Sequence, residues 1–252
     1  MTTMAIIGGT GLTSLTGLEI TRREVARTPF GECSAPMVFG KLGGEELLFL
    51  ARHGPRHTIP PHEINYRANL WALKECGIEK VIAVGAVGGI TEAFQAPGTL
   101  SIPNQIIDYT YGREQSFFTG ADKQVIHVDF TNPYCDPMRR VLISAAKDAS
   151  LDVIEHGTYG ATQGPRFETA AEIQRMERDG VDVVGMTGMP EASLAREIGL
   201  YYTAIAMTVN PAAGKSDQEI SLRLIEENLE LGMAKVCRLL ETALPGCMKA
   251  KP

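Results

Sequence analysis

The stretch "KVIAVGAVGGI" (80–90) decides the fold. It is apolar almost throughout and ends in glycines. Four other stretches share its character: "MAIIGG" (4–9), "ELLFLA" (46–51), "VDVVGM" (181–186) and "LYYTAIAMTV" (200–209). Near-continuous apolar runs of this length read as strands covered on both faces. Amphipathic segments lie between them. "HEINYRANLWALKECG" (62–77) puts Ile64, Ala68, Leu70, Trp71 and Leu73 on one broad face and stops at Gly77. "MRRVLISAAKDAS" (138–150) and "ETAAEIQRMERDG" (168–180) read as further helices. "PEASLAREIG" (190–199) opens with Pro190 at a first helical position. The longest, 216–244, opens on a Ser216…Glu219 capping box. Strand–helix alternation over the whole chain predicts one α/β domain spanning 1–252, with a mixed, largely parallel twisted sheet surrounded by helices. The segment Ser101 to Pro137 lacks clear periodicity and reads as an excursion from the sheet, with a subunit contact as one use.

Composition removes several function classes. With 252 residues and a net charge of −6, the chain lacks the basic excess of a nucleic-acid-binding surface. No apolar run approaches the roughly 18 residues of a membrane span, and the N-terminus does not resemble a signal peptide. The five cysteines (Cys33, Cys76, Cys135, Cys237, Cys247) form no CxxC pair and no disulfide or zinc spacing. Reduced thiols and a cytoplasmic location are the expectation.

Sites in open α/β sheets form beyond the carboxyl ends of strands. Four strand ends here have unusual compositions. "IIGGTGL" (6–12) offers backbone N–H groups and the Thr10 hydroxyl to an anion, or is simply a turn. It fits a dinucleotide fingerprint poorly, because Ser14 stands where a third glycine belongs. "ARHGPRHTIPPH" (51–62) packs two arginines and three histidines behind a strand. His53 and His57 have the spacing of a helical zinc pair, but Gly54 and Pro55 break a helix and the arginines repel a cation, so no metal site is expected. Oxyanion binding, with arginine as a bidentate donor, suits the loop better than a merely solvated basic surface. "VGAVGGI" (84–90) allows either main-chain contact with a ligand or close helix–sheet packing. "TQGPRFETAAE" (162–172) holds Phe167, which could stack on a planar ring, and Glu168, which could accept ring N–H groups. A buried Phe beside a Glu in the first turn of a helix is the equally available reading.

Together the motifs carry a resemblance that none carries alone. "IIGGTGL", "ARHG…HTIP…NYRANLWALKE", "GPRFET", "MTGMPEASLAREIG" and "AIAMTVN" occur in the order seen in the purine nucleoside and methylthioadenosine phosphorylases. The chain resembles this family over nearly its whole length. The resemblance implies the nucleoside phosphorylase fold, phosphorolysis of an N-glycosidic bond, and a homotrimer. It implies no cofactor, inorganic phosphate being a co-substrate. Phosphate-binding roles are implied for Thr10, Arg52, His53, His57, Gly85, Ala86 and Thr187, where Gly85 replaces a threonine common in the methylthioadenosine branch. Substrate contacts are implied for Phe167, Glu168, Met186, Asn210, Pro211 and Ala212, with His127 reaching a neighbouring subunit's site. His53, Glu168 and Asn210 would carry catalysis.

Two departures bear on the substrate. Asn210 stands where adenine-preferring members carry aspartate. With Glu168 it gives the 6-oxopurine pattern, since a glutamate carboxylate accepts from N1–H of hypoxanthine and meets a lone pair on adenine. The family's 6-oxopurine nucleoside enzymes place a histidine on the 5′-hydroxyl, yet no histidine follows His156 here. Ile220, Leu222 and Leu224 stand in that region, and Leu222 or its neighbours are expected to wall the 5′ pocket, suiting a methylthio group. S-methyl-5′-thioinosine is the substrate this combination implies. Inosine or guanosine, and methylthioadenosine, are the alternatives. Gln163 departs from an acidic residue of the methylthioadenosine branch.

Overall fold

The computed structural model describes residues 3–9, 12, 15–120 and 124–251. Its first strands are β1 (Met4–Gly8), β2 (Glu19–Glu24), β3 (Arg27–Thr28), β4 (Gly31–Glu32), β5 (Met37–Leu42) and β6 (Glu45–Ala51). Then follow β7 (Lys80–Gly89), β8 (Leu100–Ser101), β9 (Gln105–Asp108), β10 (Val153–Ile154), β11 (Thr158–Ala161), β12 (Val183–Gly185) and β13 (Tyr201–Pro211). The α-helices are α1 (Tyr66–Glu75), α2 (Asp136–Asp148), α3 (Ala170–Arg178), α4 (Gly188–Glu197) and α5 (Leu222–Lys249).

The five apolar runs all form strands. Four of them make the parallel centre of the sheet, in the order β6-β1-β7-β13. Their side chains are buried on both faces, and β1 is buried at every position, as a sheet covered on both sides requires. On one side α5 packs along β13 and against α2, while α4 packs on β13 and α1. Among the described residues no helix is long and apolar enough to cross a membrane.

The central feature is a fork. On one side β7 pairs with β13 from Lys80↔Tyr201 to Gly89↔Pro211. On the other side β1 covers it only as far as Ala83, and β12 crosses antiparallel at Gly88 and Gly89. Val84 to Val87 therefore have no strand neighbour there, and the sheet opens. β11 and β9 continue the branch from β12.

Several boundaries differ from the sequence reading. α1 starts at Tyr66, with the Asn65 side chain accepting from Ala68 N; Pro61–Glu63 form a separate short 3-10 turn. α3 starts at Ala170, because Thr169 and Glu172 form a reciprocal capping box. Glu168 thus precedes the helix and is free to face the sheet opening. α5 is capped by Ser221, whose side chain accepts from Leu224 N, not by Ser216. The segment after Ser101 is not wholly an excursion, since Gln105–Asp108 pair with β11. Of the described residues in this segment, 109–120 and 124–135 leave the sheet. They are pinned by the buried Phe117 and by the Glu197 carboxylate, which accepts from Ser116 Oγ and Phe117 N. The edge strand β2 and its neighbour β5 escape an apolar-run criterion: β2 is "EITRRE", exposed at every position and guarded by charge against edge pairing.

Candidate active site

A cavity of about 540 Å³ opens at the fork, a size typical of small-molecule sites. Every strand bordering the opening contributes its carboxyl end. Gly9 follows β1, Arg52 and His53 follow β6, and Gly85 to Gly88 are the unpaired stretch of β7 and its margin. Met186 and Thr187 follow β12, while Val209 and Asn210 end β13. Thr10 lies outside the described residues.

Arg52 is 1% exposed and plugs the gap in the sheet. Its Nε and Nη2 donate to the two carboxylate oxygens of Glu191 at 2.9 and 2.8 Å, and Nη1 donates to Val84 O at 2.8 Å. Val84 is one of the residues left without a strand neighbour, so the guanidinium replaces the missing ladder bond. Tyr202 Oη also donates to Glu191, at 2.8 Å. Burial opposes charge on Arg52, but the Glu191 carboxylate outweighs it and holds the group ionised. With a weaker bond from Nη2 to Ile7 O at 3.5 Å, one N–H has no acceptor among the described residues. The bidentate anion clamp expected of Arg52 is therefore not what this geometry offers, because the fork of the guanidinium is already filled by Glu191.

His53 is buried, and its Nδ1 lies 2.9 Å from Ile59 O. A carbonyl only accepts, so Nδ1 carries the proton and Nε2 keeps its lone pair. Burial lowers its pKa to about 4 against the opposing pull of the Ile59 bond, and the nearby Arg52 charge and His57 lower it further. The ring is neutral at neutral pH. His57 lines the same cavity, 4.5 Å from His53 between ring centroids, with its own pKa lowered by burial. It sits at φ +54°, a left-handed backbone that is uncommon outside glycine.

Gly85 and Ala86 face the opening. A Cβ built on Gly85 would meet nothing within 4 Å, so the strand presents bare main chain to the cavity. Thr187 is the N-cap residue of α4, yet its side chain does not cap the helix. Met186 packs on the loop opposite: a Cβ on Gly164, at φ +60°, would come within 2.5 Å of the Met186 sulfur.

At the far end of the cavity stand Phe167, Glu168 and Asn210. Thr162 Oγ1 donates to Glu168 Oε1 at 2.6 Å and fixes the carboxylate. Asn210 is turned inward by a β-bulge: Thr208 pairs with Val87 and Asn210 with Gly88, so Val209 is an extra residue. Bulges re-aim side chains in this way, and here two successive residues border one cavity. Asn228 Nδ2 of α5 caps the bulge at Val209 O, 2.7 Å away. The Asn210 amide donates to Pro211 O at 2.6 Å and is buried.

Some expected residues are elsewhere. Pro211 does not line the cavity, because the strand's alternation turns it away; Ala212 and Ala213 do. The apolar wall is Ile220 and Ile225, not Leu224: with α5 starting at Leu222, Ile225 falls on the inward face of the first turn. The Leu222 side chain lies outside the described residues. His127 is exposed and borders no part of this chain's cavity.

The sequence profile of the Phosphorylase superfamily matches residues 3–245. The chain belongs to the phosphorylase superfamily. It is 50% identical over 236 residues to a probable S-methyl-5′-thioinosine phosphorylase of Pseudomonas syringae pv. tomato, covering 94% of this chain and 96% of that one. It is 44% identical to a 6-oxopurine nucleoside phosphorylase of Pyrococcus furiosus, covering 97% and 93%. Among solved structures, methylthioadenosine phosphorylase from Schistosoma mansoni in complex with adenine superposes with a TM-score of 0.92 at 34% identity, covering 97% and 91%. The nucleoside phosphorylase fold is thus shared, and this phosphorylase is a pentosyltransferase by family.

Three residues that hold the walls of the phosphorylase cavity without lining it were not visible as such in the sequence. Glu191 looked like an ordinary first-turn acid of α4. Thr162 precedes the Gly-Pro turn without any pattern to mark it. Arg113 lies in the aperiodic segment, yet it is 9% exposed and reaches the loops on both sides of Met186.

Proposed function

We propose that the protein catalyses phosphorolysis of S-methyl-5′-thioinosine, giving hypoxanthine and 5-methylthioribose 1-phosphate. One observation carries the reading: Glu168 and Asn210 share a cavity with the apolar Ile220 and Ile225, and the only histidines lining it among the described residues, His53 and His57, belong to the phosphate-end loop. The carboxylate oxygen of Glu168 not engaged by Thr162 accepts from N1–H of a 6-oxopurine. The Asn210 amide exchanges its bond to Pro211 O for one to purine O6. Phe167 stacks on the ring and Met186 lies under the ribose. The names of the relatives at 50% and 44% identity agree with a 6-oxopurine site.

Hydrogen phosphate occupies the fork, beside His53, His57, the main chain of Gly85 and Ala86, and Thr187. Its oxygen attacks C1′ from the face opposite the base. The C1′–N9 bond breaks, its electron pair goes to the purine, and the proton of hydrogen phosphate ends on the base. Nε2 of His53, a lone-pair acceptor, suits the protonated oxygen of that anion. Arg52 contributes its positive charge and one N–H through a rigid wall. The catalytic burden is positioning and electrostatics, which needs no cofactor beyond phosphate.

The assembly we propose is a homotrimer in which His127 enters a neighbour's site. Its flanking residues Val125, Ile126 and Val128 are 70%, 44% and 37% exposed, an apolar strip suited to burial against another copy. Five free cysteines favour a cytoplasmic setting. A second reading, phosphorolysis of inosine or guanosine, rests on the Pyrococcus furiosus relative. Phosphate-dependent base release from S-methyl-5′-thioinosine and from inosine separates the two. The apolar wall predicts the methylthio substrate to be faster by about tenfold or more; equal or faster turnover of inosine refutes it.

A further inference from the structure

Arg113 is a buried cation without a carboxylate. Among the described residues it forms no ion pair, and its guanidinium is satisfied entirely by neutral acceptors. Nη1 donates to Met186 O at 2.9 Å, to Met189 O and to Tyr66 Oη at 3.2 Å. Nη2 donates to Gln163 O at 2.8 Å and Thr162 O at 3.2 Å, and Nε to Gln163 Oε1 at 3.2 Å. Every N–H of the group is engaged.

These acceptors belong to three separate walls of the active-site cavity. Thr162 and Gln163 begin the loop that carries Phe167 and Glu168, and Thr162 itself holds the Glu168 carboxylate. Met186 is a lining residue, and its carbonyl leads directly into Thr187. Tyr66 Oη passes the connection on to Pro61 O at 2.9 Å, and Pro61 lines the third wall. No other side chain hydrogen-bonds all three segments among the described residues. Arg113 is itself held from behind, since its own loop is anchored through Phe117 and Glu197.

We infer that Arg113 is the positioning residue that sets the separation of the purine-side and ribose-side walls, and that Gln163 serves it as a neutral side-chain acceptor. The inference rests on the phosphorylase reading of the cavity. A planar five-donor fork fits three walls at once, whereas lysine's compact ammonium cannot. Loss of the fork releases the Thr162 and Gln163 carbonyls, and with them the Thr162–Glu168 contact. At the phosphate end Arg52 is tied to Glu191 and His53 to Ile59, and Thr187 alone adjoins an Arg113 acceptor, the Met186 carbonyl. Nucleoside and base affinity should therefore move much more than phosphate affinity.

Arg113→Lys, Arg113→Met and Gln163→Leu test this. Misplacing a reacting group by about an ångström costs on the order of 100-fold. The expected result for Arg113→Lys is thus a 10- to 100-fold fall in kcat/KM for the nucleoside, carried mainly by a higher nucleoside KM, with phosphate KM changed by less than about threefold. Gln163→Leu, which removes only the side-chain oxygen that accepts from Arg113 Nε and Tyr111 N, should shift nucleoside KM in the same direction by less. Calorimetric titration of hypoxanthine and adenine gives a readout independent of turnover. If the parent protein prefers adenine, the substrate reading falls. The inference then stands or falls on whether Arg113→Lys weakens the preferred base. If Arg113→Met does not fold, the other two variants decide. A lower Tm with nucleoside KM and base affinity unchanged would show a role in stability alone and overturn the inference.

Discussion

The two ends of the cavity are built differently. At the phosphate end, Arg52 is 1% exposed and bound to Glu191, and His53 is 6% exposed and bound to Ile59. At the purine end, Phe167 is 39% exposed and Glu168 hangs on one short bond from Thr162. One end is part of the core and fixed before any ligand arrives. The other is a loop laid over the opening, with Asn210 alone supplied by the buried end of β13. Specificity can change where the loop side chains Phe167 and Glu168 are exchanged without unpairing the core, while at the phosphate end chemistry and stability share the same groups.

The sharpest way to break that contrast is Glu191→Gln. It leaves the Arg52 charge buried without its carboxylate, which should lower stability by about 3–5 kcal/mol in a denaturant titration. An unchanged midpoint would mean that Arg52 is not held by Glu191 and is available as a direct anion clamp. The next effect is in pH. Unfolded histidine binds a proton near 6.5, but folded His53 does so only near 4. Between these values the unfolded chain holds more protons, so stability falls as pH drops from 6.5 toward 4. The loss approaches about 3 kcal/mol below the folded value. His53→Gln should flatten this acid limb; an equally steep limb in the variant would contradict the assignment.

At the purine end the expected changes are smaller in stability and confined to selectivity. Asn210→Asp with Glu168→Ser should shift the preference toward 6-aminopurine nucleosides by about one to two decades, from the roughly 1–3 kcal/mol of a mismatched buried pair. The urea midpoint should stay close to that of the parent. No change in the substrate ratio would remove both residues from base recognition.

The sequence made the parallel centre legible because its strands are apolar on both faces, and that signal needs no partner to be read. The β2–β5 edge was silent for the opposite reason: its exposed strand carries charge. Phe167, Glu168 and Asn210 could be singled out because an aromatic ring, a carboxylate and an amide are odd neighbours for strand ends and glycine turns. Arg52 was singled out too, but only the fork shows that Glu191, 139 positions away, takes its donors. Arg113 depended on the same kind of long-range closure and had no local mark at all. The wall at Ile225 was missed by one residue because the cap that sets the phase of α5 is Ser221, five positions beyond the serine that looked like a cap.

In the proposed function the amide of Asn210 and the carboxylate of Glu168 select a 6-oxo over a 6-amino purine. The most direct test offers S-methyl-5′-thioinosine and S-methyl-5′-thioadenosine together, at equal concentration, to the unaltered protein with phosphate, and follows hypoxanthine and adenine release from one vessel. The ratio of initial rates is the ratio of kcat/KM values. Hypoxanthine should outrun adenine by about tenfold or more, as expected for one mismatched buried pair. Adenine release equal to or faster than hypoxanthine release would contradict the account.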